Sequence, residues 1–392
     1  MEKTDELFLQ AVSYGLKAQI MKDPRATEEE WEKILLQSVS QSLLPLVFEA
    51  VYPFLPEEME RRYRSIAINW ITRQVKASDE FVETYKALRE AGVEPLVIKG
   101  IICRNSYMLP DWRVSSDEDI YVRREDYIRL HTCLKQLGFR CKEPNFRSEH
   151  ELVYNGNTLV VEGHWELFPQ ENNFWEEMNV LSEEIMKHAV HTEIEGVSVL
   201  MPDPTDHMIY LLLHSMKHFA LSGVGIRQIC DIVAWDSQYT IAWDKVRDTM
   251  NRIGGLTFAE AVLDAGNRYF EMPFPNGWER TDSTDLVLDS LSGGIFGHSS
   301  QDRIHSASIT SADSVTGHNM VFNIFKSVFP SGTVMEINYP WISKSKLLLP
   351  VGWGIRLFRY ARNIGKNKSP LNSIKIGAKR VEILRKYNIF EK

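Results

Sequence analysis

Strand and helix signals alternate in the second quarter of the chain, between two long helical stretches. Residues 95–98 and 117–123 are short apolar runs typical of strands, and residues 125–137 have apolar side chains at helical spacing. Asn155-Gly156 then predicts a tight hairpin leading into a strand over residues 158–168. This order predicts an α+β fold, in which helices pack on a small mixed sheet.

The flanking regions are predicted to be helical. We divide the chain into an N-terminal helical segment, a mixed core, a helical domain and a basic C-terminal segment, with bounds 1–93, 94–201, 202–340 and 341–392. Thr27 and Glu30 have the spacing of a capping box, which marks a helix start.

Three further features complete this prediction. Two helices are expected over residues 56–78 and 79–91, the second ending at Gly92. A short strand is expected at residues 139–141. Residues 299–319 are polar and rich in Ser and Thr, which favours a mobile loop or local disorder.

Composition places the chain among ordinary globular proteins. Its 392 residues are 44% hydrophobic and 25% charged, which is typical of a soluble protein with a sizeable core. The four cysteines lack zinc-site spacing, so we expect reduced thiols in a cytoplasmic protein. The N-terminus lacks signal-peptide features, and no run of about 18 apolar residues could span a membrane.

Charge is distributed unevenly along the chain. Residues 341–392 contain 13 Lys and Arg against 2 Asp and Glu, whereas the first 340 residues contain 32 basic and 51 acidic residues. Such a basic segment favours contact with a membrane surface or another polyanion, and would allow a peripheral position at the inner membrane face. The alternative is a solvated helix face that offsets the acidic body.

Two strands carry acidic residues on one face. Alternate strand residues share a face, so Asp117 and Asp119 stand together, and Glu162 shares a face with His164. Adjacent carboxylates repel unless a cation lies between them, and oxygen ligands suit Mg²⁺. If the two strands are neighbours, three acids could hold two divalent ions; the alternative is an acidic surface turn.

A strand-to-helix turn precedes these acids. Gly100 would let backbone N–H groups approach phosphate oxygens, and Lys99 or Arg113 could add positive charge. In the later helical region, His214 and His218 have the i, i+4 spacing of a zinc pair, but packed histidines or a pocket lining are alternatives. At the same spacing, Arg227 and Asp231 are expected to form a helix salt bridge, with phosphate contact as the alternative.

These motifs resemble a known family. The segments VIKG, RVSSDEDIYV and VVEGHWELF, with DPTDHMIYLLLHSMKHF further on, are similar to the nucleotidyltransferase-like family of the DNA polymerase β superfamily. Its members often lie among bacterial surface-polysaccharide genes. The resemblance implies Mg²⁺, or Mn²⁺, held by Asp117, Asp119 and Glu162, with Gly100 at the phosphate-binding turn. Two departures are Ile101, where the family has serine, and Glu162 in place of Asp.

The function implied is transfer of a nucleoside monophosphate from an NTP to a hydroxyl of an unknown acceptor, in surface-polysaccharide biosynthesis. Lys99, Gly100 and Arg113 would hold the phosphates, and His164, His214, His218, Arg227 and Asp231 are candidates for the pocket. Nucleic acid is not the expected partner.

The main alternative is a catalytically silent binding protein in a membrane-proximal glycan-assembly complex. A zinc hydrolase using His164, His214 and His218 is a third.

Overall fold

The computed structural model describes most of the first three quarters of the chain and parts of the remainder. The described residues are 1–146, 149–168, 173–221, 223–294, 332, 335, 339, 341, 348–355 and 379–389. The loop predicted at residues 299–319 and most of the basic segment 341–392 lie outside them. Among the described residues, no helix is long and apolar enough to cross a membrane.

Four helices form the N-terminal segment: α1 (Lys3–Leu16), α2 (Glu28–Ser40), α3 (Leu44–Val51) and α4 (Glu57–Glu90). The predicted capping box at the start of α2 is confirmed. The Thr27 hydroxyl accepts from the Glu30 N–H, and the Glu30 carboxylate accepts from the Thr27 N–H. Each helix turns an apolar face inward, and their buried side chains belong to a core shared with the sheet.

The prediction of two helices over residues 56–91 is wrong, because α4 is a single helix of 34 residues. No Gly or Pro interrupts it, and the Ser78 hydroxyl donates to the Gln74 carbonyl inside the helix instead of capping a new one. Gly92 follows the helix with φ +76, the left-handed conformation expected of a terminating glycine. The chain therefore runs past the sheet as one continuous helix.

The predicted mixed sheet is confirmed, and with it the α+β fold class. It has four strands in the order β1-β2-β4-β3, with β2 and β4 parallel and the other two pairs antiparallel. Its strands are β1 (Leu96–Val97), β2 (Glu118–Tyr121), β3 (Glu151–Asn155) and β4 (Val160–His164), connected in part by α5 (Ile101–Arg104) and α6 (Tyr127–Gln136). Residues 139–141 form no strand; Arg140 makes only an isolated bridge to Asn155.

A second hairpin was not predicted. After α7 (Asn173–Lys187), strands β5 (Val190–Ile194) and β6 (Val197–Met201) pair antiparallel. Their two-residue turn, Glu195-Gly196, has positive φ at both positions, the geometry of a tight hairpin turn. The signal that could have predicted it is this Gly between two stretches that alternate polar and apolar residues.

The remaining helices largely follow the predicted spacing: α8 (Pro204–Leu221), α9 (Ile226–Gln238), α10 (Trp243–Arg252), α11 (Leu256–Phe270) and α12 (Thr284–Gly293). They join the core through buried contacts. The ring nitrogen Nε2 of His207 on α8 lies 2.7 Å from the Ile98 carbonyl, next to β1. Tyr387, near the C-terminus, is buried and donates to the Asp282 carbonyl.

Glu80 on α4 holds the turn that begins β4. Its carboxylate accepts from the N–H groups of Asn157, Thr158 and Leu159 and from the Thr158 hydroxyl, at 2.7–3.1 Å. Although partial burial opposes the charge, these donors lower the pKa of Glu80 below its usual value. The register of β4 therefore depends on a charge supplied by the long helix.

We expect Glu80→Ala to lower the free energy of unfolding by about 2 kcal/mol, because several donors lose a charged acceptor. Urea denaturation of the variant and the wild type measures this loss in the free energy of unfolding. A lowered pKa stabilises the fold above the unfolded value of 4.5, so the difference from wild type shrinks as pH falls below it. Glu83→Ala, which removes an exposed ion pair with Lys86, is the control and should change stability little. Equal effects of the two variants would contradict the proposed anchor.

Candidate active site

The parallel pairing of β2 with β4 brings acidic side chains together. Asp119 is the register partner of Glu162, so both side chains stand on the same face of the sheet. Asp119, Glu162 and His164 each offer one ligand atom, and these atoms lie within 4.8 Å of one another. Among the described residues they form the candidate metal group, which we call the acidic cluster.

Asp117 lies beside this cluster without joining it. It precedes β2 by one residue and is half-buried, whereas Asp119 is buried inside the strand. Its negative charge contributes to a raised pKa of Glu162, so it is near enough to act on the cluster. The structure thus brings together two of the three predicted acids and leaves the third at the edge.

Opposite charges balance the buried acids. His164 Nε2 lies 3.2 Å from Asp119 Oδ1, and its Nδ1 lies 3.1 Å from Glu151 Oε2. Although burial opposes a charge on the imidazole, these carboxylates raise the pKa of His164 to about 10. Although burial also opposes ionisation of Asp119, Lys99 and His164 hold its pKa well below the usual range. Glu151, which the sequence interpretation missed, is therefore part of the network.

The pKa of Glu162 is shifted in the opposite direction from that of Asp119. Burial, followed by the neighbouring charge of Asp119, raises the pKa of Glu162 to about 8. Two carboxylates facing each other on adjacent strands do not ionise together readily without a cation between them. A divalent ion at this position would remove that penalty, so the donor set fits a metal that prefers oxygen ligands.

Lys99 approaches the cluster from the end of β1. Its Nζ lies 3.9 Å from Asp119 Oδ2 and 3.3 Å from His214 Nε2 on α8. The side chain is buried, so its charge acts in a medium of low polarity. Of the residues predicted to bind phosphate, Lys99 is the one that the structure places against the acids.

The Gly100 turn is arranged differently from the prediction. Gly100 has φ +63, but the N–H of Ile101 donates to the carboxylate of Glu118, the residue between the two aspartates. A Cβ on Gly100 would clash with the Glu118 carboxylate, and this positive φ is one that other residues rarely adopt, so the turn requires glycine. Burial raises the pKa of Glu118 to about 7. Strand alternation, which places Glu118 on the opposite face from Asp119, was the signal for this contact.

Arg113 is held by Asp231. Its Nε and Nη2 donate to the two carboxylate oxygens at 3.0 and 2.8 Å, and both side chains are buried. Tyr107 also donates its hydroxyl to Asp231, at 2.7 Å. The predicted helix pair of Arg227 with Asp231 is therefore wrong: Arg227 donates to the Val114 carbonyl instead. A buried tertiary partner with bidentate geometry replaces the local i, i+4 contact.

The histidines of α8 do not join the cluster as a zinc set. The Nε2 atoms of His214 and His218 lie 3.1 Å apart, and burial lowers the pKa of both side chains, that of His218 to about 3. Within the described ranges, the three-ligand group contains His164 but neither of these two residues. His214 instead contacts Lys99, which places α8 against the acidic face of the sheet.

A pocket of about 310 Å³ opens next to Asp117, between α4, residues 114–118 and the start of β4. Trp70 and Arg73 line it from α4, and Arg227 lines it from α9. Neither Asp119 nor Glu162 lines this pocket. The acidic cluster and the pocket are thus neighbouring sites that meet at Asp117.

A family model described as an uncharacterised nucleotidyltransferase matches residues 27–271, more than half of the chain. The chain belongs to this family. The match includes the four-stranded sheet, the acidic cluster, the α8 histidines and Asp231, and it begins in the N-terminal helical segment, well before the residues that suggested the resemblance. No curated protein and no solved structure matches the chain.

In this nucleotidyltransferase, the buried Arg113–Asp231 pair joins the loop that precedes β2 to α9. We expect Asp231→Asn to lower the free energy of unfolding by about 3–5 kcal/mol, because Arg113 would be left as an unpaired buried charge. Urea denaturation provides the measurement.

The matched control removes both charges. The double variant Arg113→Met/Asp231→Leu should recover most of that loss, because it leaves neither charge unpaired. A loss below about 1 kcal/mol in Asp231→Asn would show that Arg113 does not depend on Asp231.

Proposed function

We propose that the protein transfers a nucleoside monophosphate from an NTP to a hydroxyl of an acceptor, with the help of Mg²⁺. The observation that supports this most is the register of β2 and β4, which sets Asp119 opposite Glu162. Family membership supports a nucleotidyltransferase in general. The acidic cluster adds a donor set suited to a divalent ion.

Asp119 and Glu162 would hold Mg²⁺, with Asp117 at the edge available for a second ion; Mn²⁺ has the same ligand preferences. When bound, such ions neutralise phosphate charge and lower the pKa of an attacking hydroxyl. With a cation at the cluster Glu162 would be held as a carboxylate, which could then accept the proton of the attacking hydroxyl. The hydroxyl oxygen then bonds to the α-phosphorus as the bond to pyrophosphate breaks.

Lys99 is the residue best placed to bind phosphate oxygens, because its Nζ lies beside Asp119. Arg113 serves instead as a positioning residue: it is held by Asp231, and its Nη1 lies 3.5 Å from the Gly100 carbonyl. The Gly100 turn would bind phosphate only if Glu118 released the Ile101 N–H. His214 would orient Lys99 from α8.

A catalytically silent binding protein is the second candidate. The observation that favours it is the contact between Glu118 and the Ile101 N–H, which fills the turn predicted to hold phosphate. In this alternative, residues 341–392 would contact a membrane surface or another polyanion in a glycan-assembly complex. A role in surface-polysaccharide biosynthesis is proposed for either candidate, and rests on the family resemblance.

Thermal unfolding with each NTP, with and without Mg²⁺, tests the proposed site. A ligand at 100 times its Kd stabilises the native state by about 2.7 kcal/mol, so the melting temperature should rise when metal and nucleotide are both present. Glu162→Gln, and the double variant Asp117→Ala/Asp119→Ala, should abolish the metal-dependent part of that rise. Glu125→Ala, an exposed acid just after β2, is the control.

Release of pyrophosphate from the NTP separates the two candidates. An active enzyme releases it in the presence of Mg²⁺, and both acid variants lose this activity, whereas a silent binding protein with an unoccupied nucleotide pocket shows neither pyrophosphate release nor a metal-dependent thermal shift. An undiminished metal-dependent shift in Glu162→Gln would falsify the proposed metal site.

A further inference from the structure

The pocket beside Asp117 contains an unusual buried cation. Four arginines are buried in the described part of the chain, and three have a carboxylate oxygen within 4.0 Å. The three pairs are Arg104–Glu118, Arg113–Asp231 and Arg380–Asp289. Arg227 is the exception: it is 3% exposed and lines the pocket without an ion-pair partner among the described residues.

Few of the donors of Arg227 are used. Its Nη1 donates to the Val114 carbonyl at 2.9 Å, and its buried Nε has no hydrogen-bond acceptor among the described residues. Burial and the nearby charge of Arg113 lower the pKa of Arg227, and the more distant carboxylates of Asp231 and Asp117 only partly oppose this shift. A buried guanidinium without a carboxylate within 4.0 Å, as Arg227 is among the described residues, is costly for stability. An anionic group in the pocket would supply the missing charge.

The rest of the pocket is built for a small molecule with such a group. Arg73 adds a second cation from the exposed face of α4, and Ser115 and Ser116 add hydroxyl groups. Trp70 offers a half-buried apolar surface. The loop is held in place by Gln74, whose side-chain carbonyl accepts from the Ser115 N–H at 2.6 Å. Polar groups at few positions in a partly apolar cleft are typical of ligand sites.

We propose that this pocket binds an anionic group, a phosphate or a carboxylate, carried by the acceptor of the nucleotidyl group. This inference rests on the proposed function. In-line transfer places the attacking hydroxyl opposite the leaving pyrophosphate, so the acceptor needs a subsite separate from the triphosphate. The pocket is such a separate subsite. It lies next to the acidic cluster because Asp117 lines it, and it is distinct from the cluster because Lys99, Asp119 and Glu162 do not. The acceptor is therefore a hydroxyl compound of acidic character.

Inorganic phosphate and acetate, titrated without divalent metal at constant ionic strength, probe the anion subsite by thermal unfolding. We expect at least one of them to raise the melting temperature of the wild type and of Lys76→Gln, which removes an exposed charge of α4 outside the pocket. Arg227→Gln should lose the rise, while its amide can still donate to the Val114 carbonyl. Arg73→Gln, at an exposed position, should weaken the rise without affecting folding. A full rise in both pocket variants would overturn the proposal.

Competition between the anion and an NTP shows whether the anion subsite belongs to the acceptor or to the triphosphate. With the effective anion at saturation, the Kd of a non-hydrolysable NTP with Mg²⁺ should change less than twofold, because the two ligands occupy separate subsites. Displacement of the NTP by the anion would overturn the assignment to the acceptor and place the triphosphate in the pocket.

Failure of the proposed function has a different signature. Glu162→Gln should lose metal-dependent NTP binding and keep the response to the anion. If the wild type bound no NTP, the assignment to an acceptor would fall with the proposed function, even where the anion response still required Arg227.

Discussion

The parallel pairing of β2 with β4 is the contact on which the rest of the site depends. It sets Asp119 and Glu162 side by side, on two strands that are separated in the sequence by α6 and β3. A shift of one residue would turn Glu162 to the opposite face, so the register has to be fixed. Glu80 fixes it from outside the sheet, by binding three consecutive N–H groups before β4.

Basic side chains lie beside the buried acids near this pair. His164 compensates Asp119 and Glu151, and Lys99 adds a second cation at the same face. On the opposite face, Glu118 is paired with Arg104 and with the Ile101 N–H. Buried ion pairs add little net stability, but removing one partner is strongly unfavourable. Arg227, by contrast, has no carboxylate within 4.0 Å in the part of the chain that the structure describes, and donates to the Val114 carbonyl.

Much of the core of the site could be predicted from the sequence. Period-two alternation placed Asp119 and Glu162 on matching faces, and Asn155-Gly156 indicated the hairpin that orients β4. Lys99 followed from its position at the end of a strand. These features are local, or depend on a single pairing between strands, which explains why residue patterns were sufficient.

Other features depend on tertiary contacts that a pattern does not contain. Asp231 pairs with Arg113, more than 100 residues away in sequence, so the i, i+4 spacing to Arg227 was misleading. The Glu118 carboxylate accepts a hydrogen bond from the Ile101 N–H because the start of α5 lies against the start of β2. The single helix α4 was missed because Ser and Asp at residues 78–79 also resemble a helix start.

The most direct measurement is anomalous diffraction from crystals soaked with Mn²⁺ and a non-hydrolysable NTP. We expect a manganese peak bound by carboxylate oxygens of Asp119 and Glu162, with the nucleotide phosphates next to Lys99. A site that stays empty at saturating Mn²⁺ and nucleotide, or a peak between His214 and His218 instead, would contradict it.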